Sequence, residues 1–181
     1  MDIMMPKMDG YEFTRILRES DNNLPILMVS AKQLPADKHK GFMVGTDDYI
    51  TKPFSPAELL ARVDALYRRV ELQTARPKPI ATEITLGIFT LDLRRRTLTK
   101  SGINVELTQV EFQIMEFFFT NPGKALGRID ILKEVWGESY FGDEKVVDVN
   151  IRRLRMKVEE EPSIPKHLVT VWGMGYKWNT H

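Results

Sequence analysis

The sequence predicts two units of different construction, a parallel α/β unit followed by an α+β unit. Three observations predict this. Short apolar runs and amphipathic stretches alternate from Met1 to about Val70, the rhythm of strands joined by helical crossovers. A segment with two prolines and few apolar residues, Glu71 to Pro79, then breaks the pattern. Beyond it, β-type runs from Ile84 give way to three amphipathic stretches and a closing hairpin. The units are expected at residues 1–70 and 84–181, joined by an extended, mobile linker over 71–83. A chain of 181 residues suits one or two domains with real cores.

Formal net charge is +1 and the pI about 7.9, so any nucleic-acid partner must be argued from local charge. The chain has no cysteine, which excludes a disulfide scaffold and thiolate metal sites and fits a reducing interior. Its three histidines are scattered and argue against a metal cluster. No apolar run approaches the ~20 residues of a membrane span, and no signal-peptide pattern opens the chain.

The first unit begins with Met1-Asp-Ile-Met-Met-Pro-Lys-Met-Asp-Gly10, followed by a helix expected from Tyr11 to Glu19. Leu24-Pro-Ile-Leu-Met-Val-Ser30 is a short apolar run of the buried-strand type, and a weak helix follows Pro35. Asp47-Asp-Tyr-Ile-Thr51 is another short strand, ending at Lys52-Pro53. Ser55-Pro-Ala-Glu58 supplies an N-cap, a proline at the first helical position and a glutamate at the third, so a helix starts there. Its expected core stripe is Leu59, Leu60, Val63, Leu66 and Val70.

In parallel sheets the chemistry gathers at the carboxyl ends of the strands, where Asp2, Ser30 and Lys52 all fall. An acid, a hydroxyl and an amine together suit the holding of a phosphoryl group. The carboxylate is the nucleophile, and the other two bind phosphoryl oxygens by charge-assisted hydrogen bonds. Singly they read as a turn residue, a loop hydroxyl and a solvated charge.

In the second unit, Ile84 to Glu106 gives short β-type runs with turns at Arg94 to Arg96 and at Ser101-Gly102, a small antiparallel sheet. Thr108-Gln-Val-Glu111 is a capping box opening a helix with Val110, Ile114, Phe117 and Phe118 on one stripe, widened by Phe112, Met115 and Phe119. So aromatic a helix reads as the centre of a core. Asn121-Pro-Gly123 ends it, and a shorter helix follows from about Arg128 to Trp136.

The third helix, Lys145 to Val158, separates into two faces. Val147, Ile151, Leu154 and Val158 form an apolar stripe for packing. Lys145, Val149, Arg152, Arg153 and Met156 fall opposite, a basic and partly apolar surface about as wide as a DNA major groove. The plainer reading is an ordinary surface helix with a solvated basic face. After Glu159-Glu-Glu-Pro162, His167 to Trp178 gives two β-type runs broken by Gly173 and Gly175, a hairpin. Three helices and a terminal hairpin make a winged helix-turn-helix.

Val147-Asp-Val-Asn-Ile-Arg-Arg-Leu-Arg155, followed by Thr170-Val-Trp-Gly-Met-Gly-Tyr-Lys177, resembles the winged-helix effector domain of OmpR/PhoB-type response regulators, over most of residues 84–178. Asp2-Ile-Met-Met-Pro-Lys-Met-Asp-Gly10, Ser30-Ala-Lys32 and Asp47-Asp-Tyr-Ile-Thr-Lys-Pro-Phe54 are similar to receiver-domain signatures, which implies a flavodoxin-like first unit. The resemblance implies a sequence-specific transcription regulator of a two-component phosphorelay, cytoplasmic, served by a sensor histidine kinase. Asp2 would be the phosphoacceptor, Ser30 and Tyr49 the switch pair, and Lys52 the lysine on the phosphoryl group. Lys145, Val146, Val149, Asn150, Arg152, Arg153 and Arg155 would face double-stranded DNA, with Lys177 as a phosphate contact. Lys38, Asp47, Asp48, Glu58, Arg62 and Arg69 match the salt-bridging positions through which receivers form a homodimer, so binding to tandem major-groove half-sites is expected. The plainer reading of those six is a normal charged surface. Glu138, Tyr140, Phe141 and Asp143, between the last two helices, would touch RNA polymerase or simply pack their loop.

Two departures qualify the resemblance. The chain starts at the phosphoacceptor, so roughly the first fifty residues of the family pattern are absent, the acidic pair that binds Mg²⁺ among them. Asp2 would then be the only ligand left for Mg²⁺, phosphoryl transfer should be slow, and the unit should expose the face its missing strands cover. Met1 is read as an internal methionine, the chain as a shortened form. The wing carries Trp172 and Met174 where some members carry a minor-groove arginine. Two other functions compete: a phosphorylation-independent interaction module for RNA polymerase or a partner regulator, and an enzyme. Nothing in the sequence resembles a substrate pocket with a general acid and base, and the expectation is that the chain is not an enzyme.

Overall fold

A computed structural model describes residues 1–5, 8–20, 24–31, 41, 43–75, 82–137, 140 and 143–180, with only the backbone given over 68–75. In the first unit, β1 (Leu27–Ser30) pairs in parallel with β2 (Asp48–Thr51), placing Ser30 beside Thr51. Asp2 adds a single parallel bridge to Val29 on the other edge of β1. The bridge is possible because the chain turns tightly into α1 (Gly10–Ser20). A Cβ at Gly10 would lie 2.5 Å from the Asp2 carbonyl oxygen, so the close approach of these backbones requires glycine.

Ser55 caps α2 (Pro56–Ala75) as the sequence indicates, its hydroxyl accepting the Glu58 N–H at 3.1 Å. The core stripe of this helix needs correction. Leu66 is buried and Leu59 half-buried, but Leu60 and Val63 are 61% and 44% exposed, and Tyr67 is exposed with them. Among the described residues the sheet is two strands wide, with the Asp2 bridge beside it. A sheet that narrow covers one side of an amphipathic helix and leaves the flanking apolar positions in water. The helix continues through residues 71–75, into the stretch expected as linker, because no breaker precedes Pro77. The helix expected after Pro35 lies outside the described residues.

The second unit opens with a four-stranded antiparallel sheet in sequence order: β3 (Glu83–Leu86), β4 (Phe89–Asp92), β5 (Thr97–Lys100) and β6 (Ile103–Val105). α3 (Gln109–Thr120) carries the expected capping box, the Glu111 carboxylate accepting the Thr108 N–H at 2.8 Å and the Thr108 hydroxyl accepting the Glu111 N–H at 3.4 Å. α4 (Arg128–Trp136) and α5 (Lys145–Val158) follow. Strands β8 (Leu168–Val171) and β9 (Gly175–Trp178) form the wing, and the two-residue β7 (Ala125–Leu126) adds to β9, giving the order β7-β9-β8. Gly175, at φ 138°, lets those backbones meet, for a Cβ there would lie 2.1 Å from the Leu126 carbonyl oxygen.

The core of this unit is aromatic. Trp178 meets Phe89 edge-on with ring centroids 5.1 Å apart and tilts against Phe119 at 5.1 Å. Ile114, Phe118, Ile131, Ile151 and Leu154 are fully buried around them. Each such side chain contributes about 1.5–3 kcal/mol by leaving water, and together they fix α5 against α3 and α4.

Candidate nucleic-acid interface and phosphoryl site

At the carboxyl ends of the parallel strands, the Lys52 ammonium donates to the Asp2 carboxylate, which also accepts the Met4 N–H at 3.1 Å. These contacts, Lys52 first and the Met4 amide second, hold the Asp2 carboxyl below its ordinary range. Lys52 is brought there by its own backbone, whose N–H donates to the Ser30 carbonyl at 2.7 Å. The acid and the amine singled out in the sequence thus touch across 50 positions of chain, and Ser30 sits at the adjoining strand end, fully buried. Tyr49 is turned inward, 5% exposed, against the backbone of Gly41. Among the described residues no group of three acidic, imidazole or thiol side chains lies together to hold a metal, and Asp2 shares its charge with Lys52. The described donors do not by themselves fit Mg²⁺.

α5 is divided as its sequence indicates, but the buried side is wider. Val147, Ile151, Leu154 and Val158 are all 1% exposed or less. Lys145, Arg152 and Met156 are exposed, with Asp148 and Arg155 half-buried on the flanks. Val146, Val149, Asn150 and Arg153, placed on the DNA side by the sequence reading, are 1%, 8%, 0% and 7% exposed and face the protein. For Arg153 the cause is an anion within the unit. Glu111, at the start of α3, is completely buried and draws the Arg153 guanidinium to 2.9 Å and the Lys157 ammonium to 2.7 Å. Burial alone would raise the Glu111 carboxyl, but Arg153 and Lys157 outweigh it and lower the carboxyl below its usual range. Asn150 is spent locally, its amide donating to the Val146 carbonyl at 2.8 Å and its oxygen accepting from Arg153 at 3.2 Å.

Arg155 also has an internal task. It donates to the Leu168 carbonyl at 2.8 Å and the Thr170 hydroxyl at 2.9 Å, tying α5 to the wing, and burial lowers its pKa. The other end of the wing is tied by Tyr176, whose hydroxyl donates to Asp148 at 2.7 Å. Burial, and then that carboxylate, push the Tyr176 phenol up to about 12. Arg128 completes the knot, with Nε 2.7 Å from Asp148 and the guanidinium 5.0 Å from the Tyr176 ring centre. The wing is therefore held rigidly beside the exposed stripe of α5. Lys177 is half-buried on β9, and Trp172 and Met174 stand at the tip, 91% and 64% exposed.

Arg128 went unnoticed in the sequence reading, though a signal exists. An arginine on the first residue of a helix faces the positive end of the dipole and needs a nearby anion. Here Asp148 provides one.

Four of the six expected dimer residues are described with side chains, and they cluster within the chain. Arg62 lies 3.0 Å from Asp48 and 3.1 Å from Glu58. Asp47 is 2% exposed, its carboxylate accepting from Arg18 at 2.7 Å and from the Ile26 N–H at 2.7 Å, which makes it a buried strand-end brace. Lys38, the side chain of Arg69, Glu138 and Phe141 lie outside the described residues. Asp143 is exposed, its carboxylate accepting the Lys145 N–H. Tyr140 is half-buried against the Arg62 cluster.

Residues 1–64 match the response regulator receiver domain, and residues 102–178 match the C-terminal domain of transcriptional regulatory proteins. A Bacillus subtilis protein described as the uncharacterized transcriptional regulatory protein YcbL is 41% identical over 177 residues, covering 98% of this chain and 78% of the relative. The crystal structure of the response regulator DrrB, a Thermotoga maritima OmpR/PhoB homolog, is 31% identical with a TM-score of 0.51, covering 98% of this chain and 77% of that one. The DNA-binding domain of Klebsiella pneumoniae RstA, solved in complex with the RstA box, is 32% identical with a TM-score of 0.52, covering 56% of this chain and all of that domain.

Proposed function

The chain belongs to the OmpR/PhoB-type response regulators, transcription regulators of two-component systems with a DNA-binding domain, and from that premise we propose that it reads double-stranded DNA with the exposed stripe of α5. The observation that carries this reading is the division of α5 by burial. Lys145, Arg152 and Met156 are exposed on one side, while Arg153 and Asn150 are consumed on the other. Arg152 forms no ion pair with any described residue, so its guanidinium is available to a phosphate or to the edge of a guanine. Arg128 and Lys177 flank the stripe as phosphate contacts. Val149, at 8% exposure, keeps at most an edge for a thymine methyl.

Asp2 is the phosphoacceptor in this reading, Lys52 the ammonium that would neutralise the phosphoryl group, and Ser30 its hydroxyl partner. Phosphorylation in receivers generally uses Mg²⁺, and the described donor set supplies Asp2 alone. A sensor histidine kinase is the donor, RNA polymerase a downstream partner, and the cytoplasm the setting. None of the described helices is long and apolar enough to cross a membrane. The chain regulates and turns over no external substrate. Copies pair through the Asp48, Glu58 and Arg62 region and occupy tandem half-sites as a dimer.

Titration of DNA binding against salt tests this function. The affinity should fall steeply with ionic strength, and Arg152→Ala should lower it. A second reading, an interaction module that does not read DNA, draws on the exposed Trp172 and Met174. It would replace the first if the complex proved indifferent to both salt and sequence.

A further inference from the structure

The nine methionines of the chain differ widely in exposure. Met28 and Met115 are fully buried, whereas Met4, Met156 and Met174 stand in water at 72%, 56% and 64% exposure. Of these three, Met156 lies on α5, in the exposed stripe that also carries Arg152. Four positions apart on one helix, the two side chains are neighbours, with Cβ atoms about 5–6 Å apart. No hydrogen bond or ion pair holds the Arg152 guanidinium to any described residue. Its charged neighbours are engaged, Arg153 and Lys157 by Glu111 and Arg155 by the wing. An exposed, flexible thioether thus lies within reach of an arginine whose donors are open. A thioether is a weak acceptor and leaves those donors to other ligands.

We propose that Met156 is a reversible oxidation site: peroxide converts its thioether to a sulfoxide whose oxygen takes the Arg152 guanidinium, so that the oxidised chain loosens its hold on DNA. The effect on DNA rests on the reading of α5 given above. In the reaction a sulfur lone pair attacks one oxygen of hydrogen peroxide. An S–O bond forms as the O–O bond breaks, and the second oxygen departs with both protons as water. Sulfur is oxidised by two electrons and the peroxide is reduced. The sulfoxide oxygen carries a strong partial negative charge and accepts hydrogen bonds, which gives Arg152 an acceptor on its own helix. Two losses then add. The guanidinium is drawn away from phosphate or guanine, and an apolar side chain suited to a thymine methyl becomes polar. Methionine sulfoxide reductases reverse the change, so the stripe can be restored.

The test uses the 181-residue chain and a duplex that it selects from a random-sequence DNA pool under reducing conditions. Parent, Met156→Leu, Met174→Leu and Arg152→Ala are each compared with themselves before and after hydrogen peroxide, the oxidised residues being read by peptide mass. Parent and Met174→Leu should lose affinity about tenfold, within the range for losing one arginine contact, and sulfoxide reductase should restore it. Met156→Leu should show no loss on oxidation, and Arg152→Ala a loss well under tenfold. The Arg152 Nε–H resonance, identified by its absence in Arg152→Ala, should shift on oxidation in the parent and stay in place in Met156→Leu. Met156 left unreacted where Met4 is fully oxidised overturns the site. Parent affinity unchanged by complete oxidation of Met156, or a loss that persists in Met156→Leu, overturns the switch. A full tenfold loss in Arg152→Ala overturns the capture of the guanidinium. If the reduced parent selects no duplex, the reading of α5 has failed instead. The resonance alone then judges the capture, which a shift supports and an unmoved signal overturns. The melting temperature of the oxidised parent should stay near that of the reduced chain, because the side chain is exposed, and a collapse on oxidation overturns the proposal in favour of lost fold.

Discussion

The Arg153 guanidinium lies 2.9 Å from the Glu111 carboxylate inside the second unit, with the two side chains 7% and 0% exposed. A charge that seemed destined for DNA thus serves the core, and with Lys157 it neutralises a buried acid that also caps α3. Removing one partner from such a group leaves an uncompensated buried charge.

The second unit should therefore be acid-sensitive. Glu111 binds its proton less readily when folded than its ordinary value of 4.5. Its ionised form contributes stability that is present above that value and is lost as pH falls below it. Thermal melts of the chain should show the midpoint dropping below about pH 4.5, and Glu111→Gln should be less stable at neutral pH and lose that part of the acid dependence. An acid limb unchanged in Glu111→Gln would remove the cluster from the account.

Trp172 is the exposed tryptophan, while Trp136 and Trp178 are 2% and 1% exposed. Its emission in free protein should be that of an indole in water, and operator DNA should quench or shift it. Trp172→Ala should leave the melting temperature nearly unchanged, a surface substitution falling within about 0.5 kcal/mol. If the ring lies against nucleotide, DNA binding should weaken by about 1 kcal/mol. Unchanged emission at saturating DNA would place the wing tip away from the duplex.

The contact between Lys52 and Asp2 makes a local prediction. Lys52→Met should move the Asp2 carboxyl back towards 3.8, because the leading cause of its lowering is gone. A carbon-13 titration of Asp2 reads this directly. With a small-molecule phosphodonor, the parent chain should acquire label at Asp2, Lys52→Met more slowly, and Asp2→Asn none. Label retained in Asp2→Asn would move the acceptor elsewhere.

Much of this architecture was legible in the sequence because it rests on local rules. The capping box at Thr108 and Glu111, the Ser55 cap and the Val147, Ile151, Leu154, Val158 stripe each depend on spacing alone. The reach of Lys52 to Asp2 also followed from strand ends. What escaped was decided by tertiary partners. Arg152 and Arg153 are chemically identical neighbours, and only the buried Glu111, about forty residues upstream, sends one inward. Leu60 and Val63 fit a core stripe by period, yet the described sheet is too narrow to cover them. The two residues of β7 are too few for any alternation to show, and they pair only because Gly175 lets the backbones approach.

The most direct measurement is a salt titration of DNA binding for Arg152→Ala and Arg153→Ala side by side, with the melting temperature of each. Arg152→Ala should melt like the parent and bind more weakly. Its affinity should fall by about 1–3 kcal/mol if it reads a base, or its salt slope should drop by about one if it meets a phosphate. Arg153→Ala should lose roughly 3 kcal/mol of stability and, below its melting temperature, bind with the parent's slope. Reversed behaviour, with Arg153→Ala stable but weak in binding and Arg152→Ala without effect, would contradict the assignment of the DNA-reading face.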